Sequence, residues 1–168
     1  MKENPFLREA SLLSHLARGR VKLGRMDTDD PFELNRFVSA QEGTYERAAA
    51  ELQRGRKVTH WMWFIFPQFD GLGSSATARH YSIKSRDEVR AYLDHPLLGP
   101  RLVACTEILL HLEGKTAHEI FGFPDDVKLR SSLTLFAVVS GDPGSVFSRA
   151  LAKYFAGEPD PQTIKLIQ

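Results

Sequence analysis

The stretch Arg101–Gly114, RLVACTEILLHLEG, predicts the fold class of this chain. Its apolar side chains recur at intervals of three or four residues, which places them on one face of an α-helix. These side chains are Leu102, Val103, Ile108, Leu109 and Leu112. Gly114 is suited to the C-terminal end of that helix. Cys105 falls within the apolar pattern, and we expect a small buried side chain there rather than a nucleophile.

Helix-start signals recur on both sides of this stretch. Two capping boxes, in which a Ser or Thr is followed three residues later by Glu, begin at Ser85 and Thr116. Asp-Pro pairs, which suit the first turn of a helix, begin at Asp30, Asp142 and Asp160. No run of alternating apolar and polar residues is long enough to predict a sheet. We therefore predict an all-α single domain of about seven or eight short helices, with little or no β structure.

Composition excludes several classes of protein. The chain has 168 residues and a net charge of +1, so one domain with its own core fits, and nothing indicates binding to nucleic acid. No apolar run approaches the ~20 residues needed to span a membrane. The single cysteine cannot form an intrachain disulfide, which favours a cytoplasmic location. Residues 1–26 are basic and are predicted to be a separate arm, disordered or weakly helical, before a helical domain at 27–168.

The segment Lys57–Tyr81, KVTHWMWFIFPQFDGLGSSATARHY, holds both tryptophans of the chain. We predict a central buried helix over HWMWFIFPQ that ends at Pro67, because its apolar residues face all round. The core members of this helix are predicted to be Met62, Phe64, Ile65 and Phe66. Lys57 and His60, which are three residues apart, would then share one helix face.

Core packing alone does not explain the polar and indole residues of this segment. Trp61 and Trp63 offer stacking faces, and a buried indole N–H needs a hydrogen-bond partner. The functional interpretation is a binding pocket that contains a cation. The structural interpretation is a histidine bonded to the backbone and a lysine whose ammonium group reaches water. In the functional interpretation His60 is the general acid or base, since imidazole titrates near neutral pH, and Lys57 and Asp70 are further catalytic candidates.

The string GLGSSA, Gly71–Ala76, matches the pattern G-x-G-x-x-A. No strand–turn–helix unit surrounds it, so a dinucleotide-binding fold is rejected. Ser74 or Ser75 could instead cap a short helix that starts near Ala76, with an anion at its N-terminus and Arg79 in the following turn. An ordinary glycine turn with a serine cap explains the same residues.

The helix predicted over VKLRSSLTLF offers a second polar strip. Lys128 and Arg130 are candidates to meet the glycine turn and hold a phosphate or carboxylate. The Ser and Thr residues of this helix also have a structural interpretation, since they can hydrogen-bond the carbonyl four residues back. The predicted ligand-binding residues are Trp61, Trp63, Gln68, Gly71, Gly73, Ser74, Ser75, Arg79, Tyr81, Lys128, Arg130, Ser131 and Thr134. No metal-ligand or cofactor motif occurs, so neither a metal nor a cofactor is expected.

Three strings resemble a known family when taken in order: KVTHWMWFIFPQFDGLGSSATARHY, AYLDHPLLGPRL and FGFPDDVKLRSSLTLF. This is a bacterial family of domains of unknown function, whose members are often mislabelled as calpastatin. The resemblance covers the chain from Asp30 to the C-terminus and implies a compact, mostly helical fold. It carries over no catalytic residues. Calpastatin itself is a disordered inhibitor, whereas this chain has the apolar content of a packed domain.

Two functions are compatible with these observations. The first is a small enzyme or binding domain for an anionic planar metabolite, nucleotide-like or ADP-ribose-like, with hydrolysis of an N-glycosidic bond as the reaction class. The second is a non-enzymatic protein-interaction module in which the aromatic segment is structural core. A pocket that joins Lys57, His60 and both indoles favours the first, and a filled core favours the second. The oligomeric state stays open.

Overall fold

A computed structural model of the protein describes residues 29–168, of which Pro31–Gln168 form one compact unit. The helices of these residues are α1 (Asn35–Gln41), α2 (Tyr45–Gln53), α3 (Met62–Ile65), α4 (Ala76–His80), α5 (Arg86–Asp94), α6 (Leu98–His111), α7 (Ala117–Phe121), α8 (Asp125–Ser140), α9 (Val146–Phe155) and α10 (Pro161–Leu166). The predicted all-α class is confirmed, although the described residues form ten helices rather than seven or eight. The predicted arm lies outside the described residues, so the boundary after residue 26 stays a prediction.

The two longest helices, α6 and α8, organise the core. Helix α6 contacts α2, α5 and α9, and helix α8 contacts α5, α7, α9 and α10, so that α5 and α9 lie against both. Within this core the ring of Tyr92 packs against the rings of Phe37 and Phe136. Cys105 is buried in the same cluster, as predicted, and burial raises the pKa of its thiol to about 12. None of the described helices combines the length and the apolar character needed to cross a bilayer.

Capping residues fix where three helices begin. The Thr116 hydroxyl accepts a hydrogen bond from the Glu119 N–H, and the Glu119 carboxylate accepts one from the Thr116 N–H. This is the capping box predicted for α7. Ser85 caps α5 and Asp160 caps α10, also as predicted.

Three predicted helix boundaries are wrong. Helix α9 begins at Val146, with Ser145 as its N-cap, and not at Asp142–Pro143. Helix α1 does not begin at Asp30–Pro31, because Glu33 adopts a left-handed φ of 52° that interrupts the first turn. Helix α6 ends at His111 rather than next to Gly114, because Leu112 already has an extended conformation.

The aromatic segment does not form the long helix that was predicted. Only Met62–Ile65 is helical, and the residues from Lys57 to Trp61 are not. The prediction that Lys57 and His60 share a helix face is therefore wrong. The predicted core is present nonetheless: Met62, Ile65 and Phe66 are buried, and Phe64 packs against the core while partly exposed.

Glu51 on α2 explains why the chain before α3 is not helical. Its buried carboxylate accepts hydrogen bonds from the backbone N–H groups of Val58 and Thr59, at 2.7 and 3.0 Å. It also accepts the indole N–H of Trp61 at 2.8 Å and the Thr59 hydroxyl at 2.6 Å. These bonds pair the backbone N–H groups of Val58 and Thr59 without a helix and hold the segment in an irregular conformation against α2.

A short extended pairing closes the loop that follows. Phe69 and Ile83 form an isolated parallel bridge, in which the Asp70 N–H donates to the Ile83 carbonyl and the Ile83 N–H to the Gln68 carbonyl, both at 2.9 Å. The loop of residues 70–82, which carries the glycine turn and α4, therefore leaves and rejoins the core at one place.

Candidate functional site

A cavity of ≈ 490 Å³ opens between the aromatic segment, the glycine turn and the start of α8. We call it the tryptophan–lysine cavity. Its lining includes the predicted residues Trp63, Gln68, Gly73, Ser74, Ser75, Lys128 and Ser131. The rest of its lining is Leu72, Ala78, Phe123, Pro124, Val127, Asp160 and Gln162. The glycine turn and Lys128 therefore lie on the same cavity.

Trp63 and Lys128 are paired on this lining. The ammonium nitrogen of Lys128 lies 5.0 Å from the centroid of the Trp63 ring, within the range of a cation–π contact. Two lysines share one carboxylate here: Asp125 Oδ1 is 3.0 Å from Lys128 Nζ, and Asp125 Oδ2 is 2.7 Å from Lys57 Nζ. Burial alone would raise the pKa of Asp125, but its bonds to the two lysines lower it. One carboxylate cannot neutralise two ammonium groups, so this trio carries a net positive charge, while the Asp160 carboxylate lies elsewhere on the same lining.

Lys57 is the buried member of this trio. Its side chain is 7% exposed, against 25% for Lys128. Its ammonium group also donates to the Thr59 carbonyl at 2.8 Å and lies 5.0 Å from the Trp61 ring. Lys57 therefore binds Asp125 on the side of the protein interior, while Lys128 binds it on the side of the cavity.

Several polar groups of the lining make no hydrogen bond to other described residues. They are the indole N–H of Trp63, the Ser74 hydroxyl and the side-chain amides of Gln68 and Gln162. Ser75, in contrast, is occupied as the N-cap of α4. The unoccupied groups can bond a ligand without breaking a bond inside the protein.

Asp160 adds a carboxylate to the lining. Its Oδ2 accepts the Ser131 hydroxyl at 3.0 Å, and its backbone N–H donates to Thr134 Oγ1 at 2.8 Å. Burial raises the pKa of Asp160, but hydrogen bonds from Thr163 and Ser131 outweigh that effect and lower it. Of the two hydroxyl residues predicted on α8, Ser131 thus borders the cavity, whereas Thr134 acts on it only through Asp160.

A second cavity, of ≈ 500 Å³, adjoins the first at Trp63. We call it the histidine cavity. Its lining is His60, Trp63, Phe64, Ala76, Thr77, His80 and Tyr81. The imidazole of His60 makes no hydrogen bond to another described residue, and the His80 ring meets the Tyr81 ring edge-on, with centroids 4.6 Å apart. His60 and Tyr81, both predicted site residues, therefore border this second cavity and not the first.

Two further predicted residues have structural partners and line neither cavity. Trp61 is fully buried, and its indole N–H donates to Glu51. Asp70 accepts the Ser82 hydroxyl at 2.7 Å and the Lys84 ammonium group at 3.0 Å, and these two bonds lower the pKa of its carboxyl group.

Three more predicted residues, at the edges of the site, also line neither cavity. Gly71 has a φ of 93°, a backbone conformation that favours glycine. The guanidinium group of Arg79 donates to the Ser74 carbonyl, and that of Arg130 donates to the Glu158 carbonyl at 3.0 Å. The backbone conformation of Gly71 and the hydrogen bonds of the two arginines account for these residues without a ligand.

Seven lining residues of the tryptophan–lysine cavity were not predicted, and four of them give it an apolar rim and a second polar side. Phe123 and Val127 form an apolar rim, with exposures of 78% and 51%. Asp160 and Gln162 approach from the start of α10. The sequence signals there are helix boundaries: FGFP marks the end of one predicted helix and Asp160–Pro161 the start of another. A helix boundary already explains such residues without a site.

These features define a compact helical domain with two adjoining cavities on one aromatic segment. The chain belongs to the family described as "Protein of unknown function (DUF1810)", which matches residues 31–167. It is similar to a solved structure, that of the conserved hypothetical protein Rv1873 from Mycobacterium tuberculosis, at 50% identity over 82% of this chain and 98% of that chain, with a TM-score of 0.79. No protein with a curated description matches this chain significantly. The resemblance to a family of domains of unknown function is thereby confirmed.

Proposed function

We propose that this protein is a binding domain for a small planar metabolite that carries an anionic group, such as a nucleotide or an ADP-ribose-like molecule. The Trp63–Lys128 pair carries this proposal, because it brings an aromatic face and an ammonium group to one cavity. The ring offers a stacking surface and the ammonium group attracts a phosphate. The free, buried Cys105 is consistent with a reducing cytoplasm as the working compartment.

The size and charge of the cavity support the same class of ligand. Its volume of ≈ 490 Å³ falls within the ~300–1,000 Å³ typical of small-molecule sites. The lysine pair around Asp125 supplies positive charge, and the unoccupied groups of Gln68 and Gln162 supply directed hydrogen bonds. A purely apolar ligand would leave those groups desolvated and unpaired, at a cost of about 1–3 kcal/mol each.

Thermal denaturation with AMP, ADP, NAD⁺ and ADP-ribose tests the proposal. We expect at least one of them to raise Tm with increasing concentration, because a ligand that binds only the native state stabilises it by about 2.7 kcal/mol at a hundredfold excess over Kd. Trp63→Leu is expected to remove most of this shift. Lys128→Met is expected to reduce it for nucleotides more than for the matching nucleosides, which lack the phosphate.

Tyr45→Leu is the matched control for Trp63→Leu. The Tyr45 ring also lies against a cation, the Arg101 guanidinium group at 4.5 Å, but it lines a separate depression between α2 and α6. Tyr45→Leu should keep the wild-type ligand shift. If none of the four ligands raises Tm at several millimolar, the proposal is wrong. The exposed rim of Phe123 and Val127 would then favour the protein-interaction module.

Hydrolysis of an N-glycosidic bond is a second candidate function, favoured by the fact that Trp63 lines both cavities. A ligand stacked on Trp63 has His60 in the adjoining cavity, and a histidine can protonate a departing base. The other predicted catalytic residues, Lys57 and Asp70, line neither cavity. Lys57 is linked to the tryptophan–lysine cavity only through its ion pair with Asp125.

Release of free base from nucleotides or NAD⁺, followed by chromatography, tests the hydrolytic function. We expect His60→Ala to lower the rate at least ~100-fold, as for loss of a general acid, while the ligand-induced Tm shift is unchanged. His111→Ala, which alters the separate depression beside α2, should keep full activity. Substrates recovered intact after prolonged incubation with wild-type protein would limit the function to binding.

A further inference from the structure

The hydrogen bonds from Ser131 and Thr163 to the Asp160 carboxylate all end on one of its two oxygens. Oδ2 accepts the Ser131 hydroxyl at 3.0 Å, the Thr163 N–H at 3.0 Å and the Thr163 hydroxyl at 2.5 Å, and the carboxylate also accepts the backbone N–H of Gln162. No side chain of residues 29–168 donates to Oδ1. Because a carboxylate oxygen has two lone pairs, Oδ1 keeps the capacity to accept a hydrogen bond from a ligand in the tryptophan–lysine cavity.

The position and the charge of this carboxylate are both fixed. The Asp160 backbone is tied to α8 by its N–H donating to Thr134, and its side chain is tied to α10 by Thr163. Burial raises the pKa of Asp160. The pKa is nevertheless below its usual value, because the carboxylate accepts hydrogen bonds from Thr163, Ser131 and the backbone N–H of Gln162. At neutral pH the group is therefore ionised and can only accept. A rigid acceptor discriminates between a ligand atom that donates and one that accepts.

Lys128 gives the same cavity a group of opposite character. Its ammonium group can only donate, and it lies beside the Trp63 ring. A ligand that satisfies both Lys128 and Asp160 must carry an anion or acceptor for the first and an N–H donor for the second. Among nucleotides, the exocyclic amine of adenine or cytosine is such a donor. The oxo group of hypoxanthine or uracil at the same ring position would turn its lone pairs toward the carboxylate.

We propose that Asp160 is a specificity-determining residue, whose Oδ1 accepts a hydrogen bond from the exocyclic amino group of the ligand's base. Amino-substituted nucleotides then bind in preference to their oxo counterparts. This inference rests on the proposed function, since it concerns the same cavity and the same class of ligand. It adds a chemical criterion that stacking and phosphate binding do not provide, because all nucleotides share those two features.

Calorimetric titration with two matched pairs, AMP against IMP and CMP against UMP, tests the inference. In the wild-type protein we expect the amino member of at least one pair to bind at least ~10-fold more tightly, because the oxo member leaves a charged acceptor unpaired. In Asp160→Asn the ratio should fall to within ~3-fold or invert, since the amide NH₂ can donate to an oxo group. Asparagine is as good an N-cap as aspartate, so α10 keeps its cap.

Three further variants separate specificity from structure. Asp126→Asn removes the same charge from the first turn of α8, outside the lining, and should keep the wild-type ratio. Ser131→Ala removes a bond to Oδ2 but leaves Oδ1 in place, so the preference should survive. If the asparagine variant does not fold, Asp160→Ser keeps a capping side chain without a carboxylate and should lose the preference without inverting it.

The outcomes distinguish this inference from the function on which it rests. Wild-type protein that binds both members of each pair equally, or prefers the oxo member, overturns the role of Asp160 while the nucleotide site stands. A wild-type ratio in Asp160→Asn overturns it in the same way. If wild-type protein binds none of these four mononucleotides, the role of Asp160 is wrong, and the proposed function is wrong as well only if ADP, NAD⁺ and ADP-ribose also leave Tm unchanged.

Discussion

A Glu51→Gln protein is expected to lose about 3 kcal/mol of its free energy of unfolding at pH 7. Burial would raise the pKa of Glu51, but bonds from Thr59, Val58 and Trp61 lower it from 4.5 to about 2. Glutamine has nearly the same shape, and its amide oxygen can take the place of Oε2 while its NH₂ group donates to the Thr59 hydroxyl, so the substitution removes chiefly the charge. The three N–H donors then bond a neutral oxygen instead of a charged one, and a charge-assisted hydrogen bond is roughly twice as strong as a neutral one.

The same substitution is expected to change the pH dependence of stability. Since the native pKa of Glu51 lies below that of the unfolded chain, its stabilising effect is complete above pH 4.5 and is lost as the pH falls toward 2. The difference in unfolding free energy between wild type and Glu51→Gln should therefore be greatest at neutral pH and shrink between those values. Urea denaturation at a series of pH values measures it.

Glu46→Gln is the matched control, because Glu46 lies in the first turn of the same helix and is exposed. Its unfolding free energy should follow that of wild type within about 0.5 kcal/mol. A difference for Glu51→Gln that stays constant from pH 7 to pH 3 would show that the ionised carboxylate is not what stabilises the segment before α3.

A Gly99→Ala protein is expected to lose at least about 3 kcal/mol, although alanine is the better helix former by ~1 kcal/mol. A Cβ atom at Gly99, in the first turn of α6, would lie 2.0 Å from the carbonyl oxygen of Leu93 and 2.9 Å from its carbonyl carbon. These atoms belong to the backbone of α5, so no side-chain rotation can relieve the overlap. Helices α5 and α6 would have to move apart where they pack together.

Gly144→Ala separates this overlap from the general effect of removing a glycine. The nearest atom to a Cβ at Gly144 is Asp142 Oδ1 at 3.3 Å, which belongs to a side chain that can turn away. Its thermal midpoint should stay within a few degrees of wild type, while that of Gly99→Ala should fall by ~10 °C or more. If the two variants had equal midpoints, the close approach of α5 and α6 would not limit stability.

Local signals in the sequence predicted much of the fold. The Thr116–Glu119 capping box needs only neighbouring residues, and it forms as predicted. The helix proposed to begin near Ala76 also forms, with Ser75 as its cap. Such features depend on contacts within one turn of helix, which a single sequence displays directly.

Contacts between distant residues were beyond the same reasoning. A glutamate within α2 is expected at the surface, yet Glu51 is buried because Trp61 and the backbone near Thr59 supply its donors. For the same reason the predicted helix over Lys57 and His60 does not form. Asp160 was predicted correctly as a helix start, but its place on the cavity depends on Ser131, which lies far from it in sequence.

The bridge between Phe69 and Ile83 brings together the two ends of a loop that lines both cavities on one side. Residues 70–82 form a surface loop whose ends are pinned together, and no residue of α4 within it is buried. This loop nevertheless supplies lining residues to both cavities, Ser74 to one and Thr77 to the other. Changes in the side chains of α4 are therefore expected to alter the linings of both cavities with little effect on the packing of the helices beneath.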